Sequence, residues 1–159
     1  MYQQKLTPQQ AFQKLKHYCA YQERSHYEVK EKLYAFGLLK TEVEKILSQL
    51  IEEDYLNEER FAIQFAGGKF RLKQWGRIKI KFELQQKKVS TYNINKALKS
   101  IDEDAYLKTL KKLATTKWNL LKKEQYLNRM AKTNNYLLQK GFEPALINKI
   151  ISDIRIENK

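Results

Sequence analysis

Apolar residues recur along this chain at helical spacing. Val43, Ile46, Leu47, Leu50 and Ile51 fall at i, i+3, i+4, i+7 and i+8, one buried stripe of an amphipathic helix. Helix starts punctuate the same region. Thr7-Pro8-Gln9-Gln10 sets a capping hydroxyl before a proline at the first helical position, with Gln10 placed to close the box. Ser25-His26-Tyr27-Glu28 and Thr41-Glu42-Val43-Glu44 read as two further capping boxes, and Gly37 as the stop of the helix between them.

The pattern repeats. Val29, Leu33, Val43, Ile46, Leu47 and Leu50 reappear 51 residues later as Ile80, Leu84, Ile94, Ala97, Leu98 and Ile101. A further 53 residues on, the last four become Ile147, Ile150, Ile151 and Ile154, and Leu33 becomes Leu137. The phrase "AFGLL" around Gly37 is echoed by "QKGFE" around Gly141, with Lys88 where the second copy would place its glycine. The expected fold is all-α: an elongated tandem array of three three-helix, helix-turn-helix-like modules at 1–54, 55–101 and 102–159. The helices expected are 8–23, 26–36 and 41–53; 57–73, 76–87 and 91–100; and 103–117, 122–140 and 143–156. Units of about fifty residues bury little surface alone, so the copies are expected to lean on one another.

The stretch "DYLNEERFA", Asp54 to Ala62, looks at first like an acidic site. Its position argues for structure. Tyr55-Leu56 closes the first module, Asn57 caps the next helix, and Glu58 and Glu59 occupy the first turn, where the macrodipole favours negative charge. Phe61 and Phe65, four apart, are expected to face the core.

Other chemistry is hard to assemble. His17 and Cys19 are two apart on a helix and point to different faces, and His26 has no His/Cys partner at zinc spacing. Gly67-Gly68 lacks the sequel of a phosphate loop and reads as a place of close helix approach or softened helix. Glu52, Glu53 and Asp54 could meet a hard cation but read more simply as a solvated helix end. No nucleophile–base pair is recognisable, so neither catalysis nor a cofactor is expected. The single cysteine, Cys19, makes no intrachain disulfide and fits a reducing compartment. No apolar run has the length of a membrane span and "MYQQKLTPQQ" lacks a signal-peptide core, so the cytoplasm is the expected location.

Charge changes the picture most. The chain carries 31 basic and 18 acidic residues, net +13, which points to a polyanionic partner. Residues 1–68 have net charge −1, residues 69–100 have +9 and residues 101–159 have +5, so the excess gathers in the middle module. On a helical wheel of 76–87, with Lys88 just beyond, Arg77, Lys81 and Lys88 fall in one narrow sector beside Ile80 and Leu84. The candidate partner-binding face is Lys69, Arg71, Lys73, Trp75, Arg77, Lys79, Lys81, Lys87 and Lys88. Phe70 is expected in the core; Trp75 suits either the core or stacking on a base.

Three blocks resemble the RecX family, regulators of bacterial RecA recombinase: "RSHYEVKEKL", "LIEEDYLNEERFA" and "RLKQWGRIKIKFELQQKKV". Leu50, Tyr55, Leu56, Asn57, Glu58, Arg60, Phe61 and Ala62 match the family's core pattern, as do Arg71, Gly76, Ile80, Glu83, Leu84, Lys87 and Val89. Asp54 and Lys88 stand where the family commonly has glycine. The resemblance implies a non-enzymatic regulator of tandem three-helix form. Such proteins bind the groove of the RecA–single-stranded DNA filament and damp its growth, strand exchange, ATP turnover and co-protease activity. It implies RecA protein and its filament as partners; direct contact to single- or double-stranded DNA is also open, and a monomer without a membrane partner is expected. The main alternative is a nucleic-acid-binding helix-turn-helix-like module acting without RecA. An adaptor for an acidic protein comes third, a membrane-surface role after it, and an enzyme last.

Overall fold

The computed structural model describes residues 5–157. Met1–Gln4, part of the stretch read above for a signal peptide, and Asn158 and Lys159 lie outside the described residues. Among the described residues there are nine α-helices, one π-helical turn and no strand. The helices are α1 (Pro8–Tyr21), α2 (His26–Ala35), α3 (Lys40–Glu52), α4 (Glu58–Gly68), α5 (Arg77–Gln86), α6 (Thr91–Lys99), α7 (Glu103–Leu120), α8 (Tyr126–Lys140) and α9 (Pro144–Glu157). The π turn, Lys69–Lys73, follows α4 directly.

The chain forms two compact units, and their boundary does not follow the repeat. The first runs up to Phe65 and includes Leu84–Ala97; the second is Ala66–Glu83 with everything from Leu98 on. α4, α5 and α6 therefore each pass from one unit into the other.

The first unit is built on the expected stripes. Leu15, Leu33, Val43 and Leu50 are fully buried in one cluster, joined by Ala11, Cys19, Val29, Ile46 and Leu56. Thr7 and Gln10 form the predicted reciprocal box, each accepting the other's backbone N–H. Ser25 accepts the Glu28 N–H at 3.0 Å, but Glu28 turns its carboxylate to Lys87 Nζ at 2.7 Å instead of closing the box. The third box is displaced: α3 begins at Lys40, and Glu42 reaches back to the Leu39 N–H at 2.9 Å, leaving Thr41 inside the first turn.

Three equivalent helix ends share a left-handed residue. Gly37 has φ 82°, Gly141 has φ 95°, and Lys88 takes the same conformation at φ 61° without glycine's freedom. Asp54 does likewise at φ 62°.

The stretch "DYLNEERFA" is structural in its detail. Asn57 Oδ1 accepts the Arg60 N–H at 2.9 Å, the expected cap. Leu56, Phe61 and Ala62 are buried, and Arg60 pairs with Glu23 and Asp54. Glu58 does more than favour the dipole. It accepts the Ser90 N–H at 3.0 Å and the Asn93 side-chain amide at 2.9 Å, tying the start of α4 to the start of α6.

His26 Nδ1 lies 3.6 Å from Glu58. Burial pushes the His26 imidazole below its ordinary value and outweighs the attraction of Glu58. Burial acts in the opposite sense on Glu58, but the hydrogen bonds from Ser90 and Asn93 and the neighbouring His26 hold its carboxyl below the usual range. Both groups bind protons less readily folded than unfolded. Stability therefore rises with pH through each window, is complete above the ordinary histidine value of 6.5, and falls as acid protonates the unfolded chain preferentially. The urea midpoint is expected to be flat above pH 7 and to fall toward pH 5.5, a fall that His26→Gln largely removes. A wild-type midpoint that rises on acidification contradicts this reading.

Candidate polyanion interface

The second unit holds nineteen Lys/Arg against eight Asp/Glu, a net +11; the first holds twelve against ten, a net +2. Seven of the nine sequence candidates belong to the second unit. Lys87 and Lys88 belong to the first.

The basic stretch of the second unit is anchored by backbone. Gly76 donates its N–H to Lys140 O at 2.7 Å, and Ile78 donates to Gly141 O at 2.9 Å. The unpaired amides at the start of α5 thus meet the unpaired carbonyls at the end of α8, which satisfies both and aligns opposite dipole ends. Neither side has room for a side chain. A Cβ on Gly76 would lie 2.4 Å from the Gly141 carbonyl, and one on Gly141 would lie 2.3 Å from Lys79 Cβ.

Arg77 follows at once and is turned inward. Its guanidinium pairs with Glu143 at 2.8 Å and with Glu103, and stacks over Tyr106 with 3.8 Å to the ring centroid. Tyr106 accepts the Arg77 N–H at 2.9 Å and donates its hydroxyl to Glu143. Tyr106 is fully buried between Phe70 and Phe142, so its phenol is pushed well above the ordinary value by burial and by the Glu143 hydrogen bond. Two of the candidates grouped on the wheel, Arg77 and Lys88, are set apart from Lys81 by their surroundings. Arg77's charge is engaged within the fold, and Lys88 lies past the end of α5 in a left-handed conformation, off the helical wheel. Lys87 is likewise engaged, by Glu28.

The remaining candidates differ. Arg71, Lys73 and Lys81 are exposed, Lys79 is half-buried, and among the described residues no carboxylate pairs with any of them. Trp75 is half-buried with two ammoniums near its ring, Lys79 at 4.6 Å and Lys69 at 5.1 Å. It organises cations as well as offering an aromatic surface. Gln74, at φ 57°, makes the left-handed turn that sets Trp75 and Gly76 after the π turn. Phe70 is buried as expected.

Sequence reasoning missed Lys140. Its Nζ donates to Lys73 O at 2.7 Å, and burial together with the nearby Lys79 and Lys73 ammoniums pushes it below the ordinary lysine value. Such crowding of like charge without a carboxylate is what an anion would relieve. The echo around Gly141 was a signal for the helix end, not for the lysine beside it. Among the described residues no three His, Cys, Asp or Glu side chains gather to hold a metal, and no helix is long and apolar enough to cross a membrane.

Comparison with known proteins settles the lineage. Residues 57–98 match the family model for the second three-helix domain of RecX, and residues 103–151 match that for the third, together more than half of the chain. This chain belongs to the RecX family. A regulatory protein RecX of Thermotoga petrophila is 32% identical over 138 residues, covering 84% of this chain and 78% of its own. That of Clostridium perfringens is 32% identical over 126 residues, or 78% of this chain and 58% of its own length. The relative from Oceanobacillus iheyensis is 25% identical over 96% of this chain and 56% of its own. The chain thus spans somewhat under three fifths of the length of the latter two. A crystal structure of RecX from Lactobacillus salivarius shares the fold with a TM-score of 0.86 at 23% identity, covering 94% of this chain and 97% of that one.

Within this RecX-family chain the structural and the available cations should separate cleanly. Arg77→Ala is expected to cost about 2–3 kcal/mol, short of the loss at a fully buried pair because Glu103 is exposed. Lys81→Ala should stay within about 0.5 kcal/mol of wild type. Urea denaturation of both variants checks this; equal losses contradict the division.

Proposed function

We propose that this chain is a non-enzymatic regulator of DNA recombination and repair that binds the RecA–single-stranded DNA filament. In this reading it limits filament growth and with it strand exchange, ATP turnover and co-protease activity, as a cytoplasmic monomer without a cofactor. Membership of a family whose relatives are named regulatory proteins supports the regulatory role. The observation that carries the filament reading is the carboxylate-free set of Lys73, Lys79 and Lys140, with Lys79 over the Trp75 ring, beside the backbone dock of Gly76 and Gly141. Ammoniums so placed act as point charges for a phosphate backbone, while exposed Arg71 offers a fork that fits carboxylates equally well.

The alternative, direct nucleic-acid binding without RecA, draws on the same lysines. Bare single-stranded DNA, RecA alone and the assembled filament are therefore compared at two salt concentrations. Filament binding well above both components supports the proposal; binding to bare DNA that RecA does not improve favours the alternative.

Lys73→Glu with Lys81→Glu should leave the melting midpoint nearly unchanged, since exposed charges of this kind contribute ~0–1 kcal/mol each. The double variant should lose filament association by an order of magnitude or more. If about four phosphates are neutralised by the wild type, its log–log salt slope is roughly −3. A folded double variant that inhibits strand exchange at wild-type concentrations removes these lysines from the mechanism.

A further inference from the structure

The first unit has little net charge, yet its cations are not evenly spread. Between α1 and α2 lies an open groove of about 820 Å³ whose lining includes Lys14, Tyr18, Tyr21, Arg24, Lys32 and Phe36, and no carboxylate. The acids of these two helices and their link are engaged elsewhere or face away: Glu23 is held by Arg60 and Glu28 by Lys87, and Glu31 is outside the lining.

Aromatic rings hold the groove's cations in place. Arg24 stacks over Tyr18 with 3.8 Å to the centroid and donates its Nε to Tyr18 O at 3.0 Å, which leaves its two terminal nitrogens pointing away from the backbone bond. Lys32 lies 4.7 Å from the same ring, and Lys14 lies 5.7 Å from Phe36. None of Lys14, Arg24 and Lys32 has a carboxylate partner among the described residues. The Arg24 hydrogen bond has a structural use, since it caps a free carbonyl near the end of α1. The two lysines cap no carbonyl among the described residues, and Tyr21, at the last position of α1, is 83% exposed with Arg24 near its ring, 6.0 Å from the centroid.

We infer that this groove is a second binding site, one for single-stranded nucleic acid, in which Lys14, Arg24 and Lys32 take phosphates and Tyr21 stacks on an unpaired base. An exposed aromatic beside ordered cations fits a single strand, whose bases are free to turn out onto it. A duplex keeps its bases stacked and would leave Tyr21 idle. An acidic protein segment would satisfy the cations but has no need of the ring. The site lies on a different unit from the lysines about Trp75 and does not depend on RecA.

The test uses the full chain and a labelled short oligothymidylate, with an abasic oligomer of the same length and charge as control. Wild type is expected to bind the oligothymidylate roughly fivefold or more tighter than the abasic oligomer, the effect of one stacked base. Tyr21→Ala should erase that preference while leaving abasic binding unchanged. Lys14→Gln with Lys32→Gln should lower the salt slope by about 1.4 for both oligomers. Photocrosslinking of a bromodeoxyuridine-substituted strand should label the peptide holding Tyr21. Equal binding of the two oligomers by wild type, crosslinks confined to the second unit, or competition by poly-glutamate as effective as that by the oligonucleotide each overturn the site. None of these results bears on whether the chain binds the RecA filament, which is measured separately.

Discussion

Two backbones meet at Gly76 and Gly141 with no side chain between them. The start of α5 donates to the end of α8, and a Cβ on either glycine would fall within 2.4 Å of the opposite segment. Much of the second unit follows from that closeness. It places Lys79 against Gly141 and brings Lys140 under the Lys73 carbonyl, and on the other side it lets Arg77 reach Glu143 and Tyr106. A loose turn would scatter these lysines in solvent. A backbone dock holds them together, and burial, with the neighbouring Lys79 and Lys73 ammoniums adding to it, pushes Lys140 below the ordinary lysine value.

The chain's positive charge therefore falls into two groups that composition cannot tell apart. Arg60, Arg77, Lys87 and Lys96 pair with carboxylates and join elements far apart in sequence. Arg71, Lys73, Lys79, Lys81 and Lys140 have no such partner among the described residues, and neither have Lys14, Arg24 and Lys32 in the first unit. The polyanion binding proposed above draws on the second group. In that group no carboxylate among the described residues neutralises the charge, though Arg24 and Lys140 each also hydrogen-bond a backbone carbonyl.

Local signals were legible from sequence because they act over a few residues. The Thr7 box, the Asn57 cap and the left-handed stop at Gly37 all stand as read, and so do the burial of Phe61 and Leu84 and the three-fold recurrence of helix patterns. The third box moved because Glu42 found the Leu39 amide and made Thr41 dispensable as a cap. Lys88 keeps the repeat's left-handed turn although it lacks glycine, so the recurrence was a better guide there than residue type. What depended on distant partners was not legible. The role of Arg77 lies with Glu103 and Glu143, that of Glu58 with Ser90 and Asn93, and the need for Gly76 with a glycine 65 positions away. A helical wheel sees none of these.

The division between engaged and available lysines is open to one direct measurement: lysine acetylation footprinting of the full chain, read by mass spectrometry with and without a saturating RecA–single-stranded DNA filament. Lys73, Lys79 and Lys81 should react readily in the free protein and become protected on the filament, while Lys87, paired with Glu28, should react slowly and change little. Equal modification of Lys73, Lys79 and Lys81 in the two states, with protection appearing at Lys87 instead, would contradict the account.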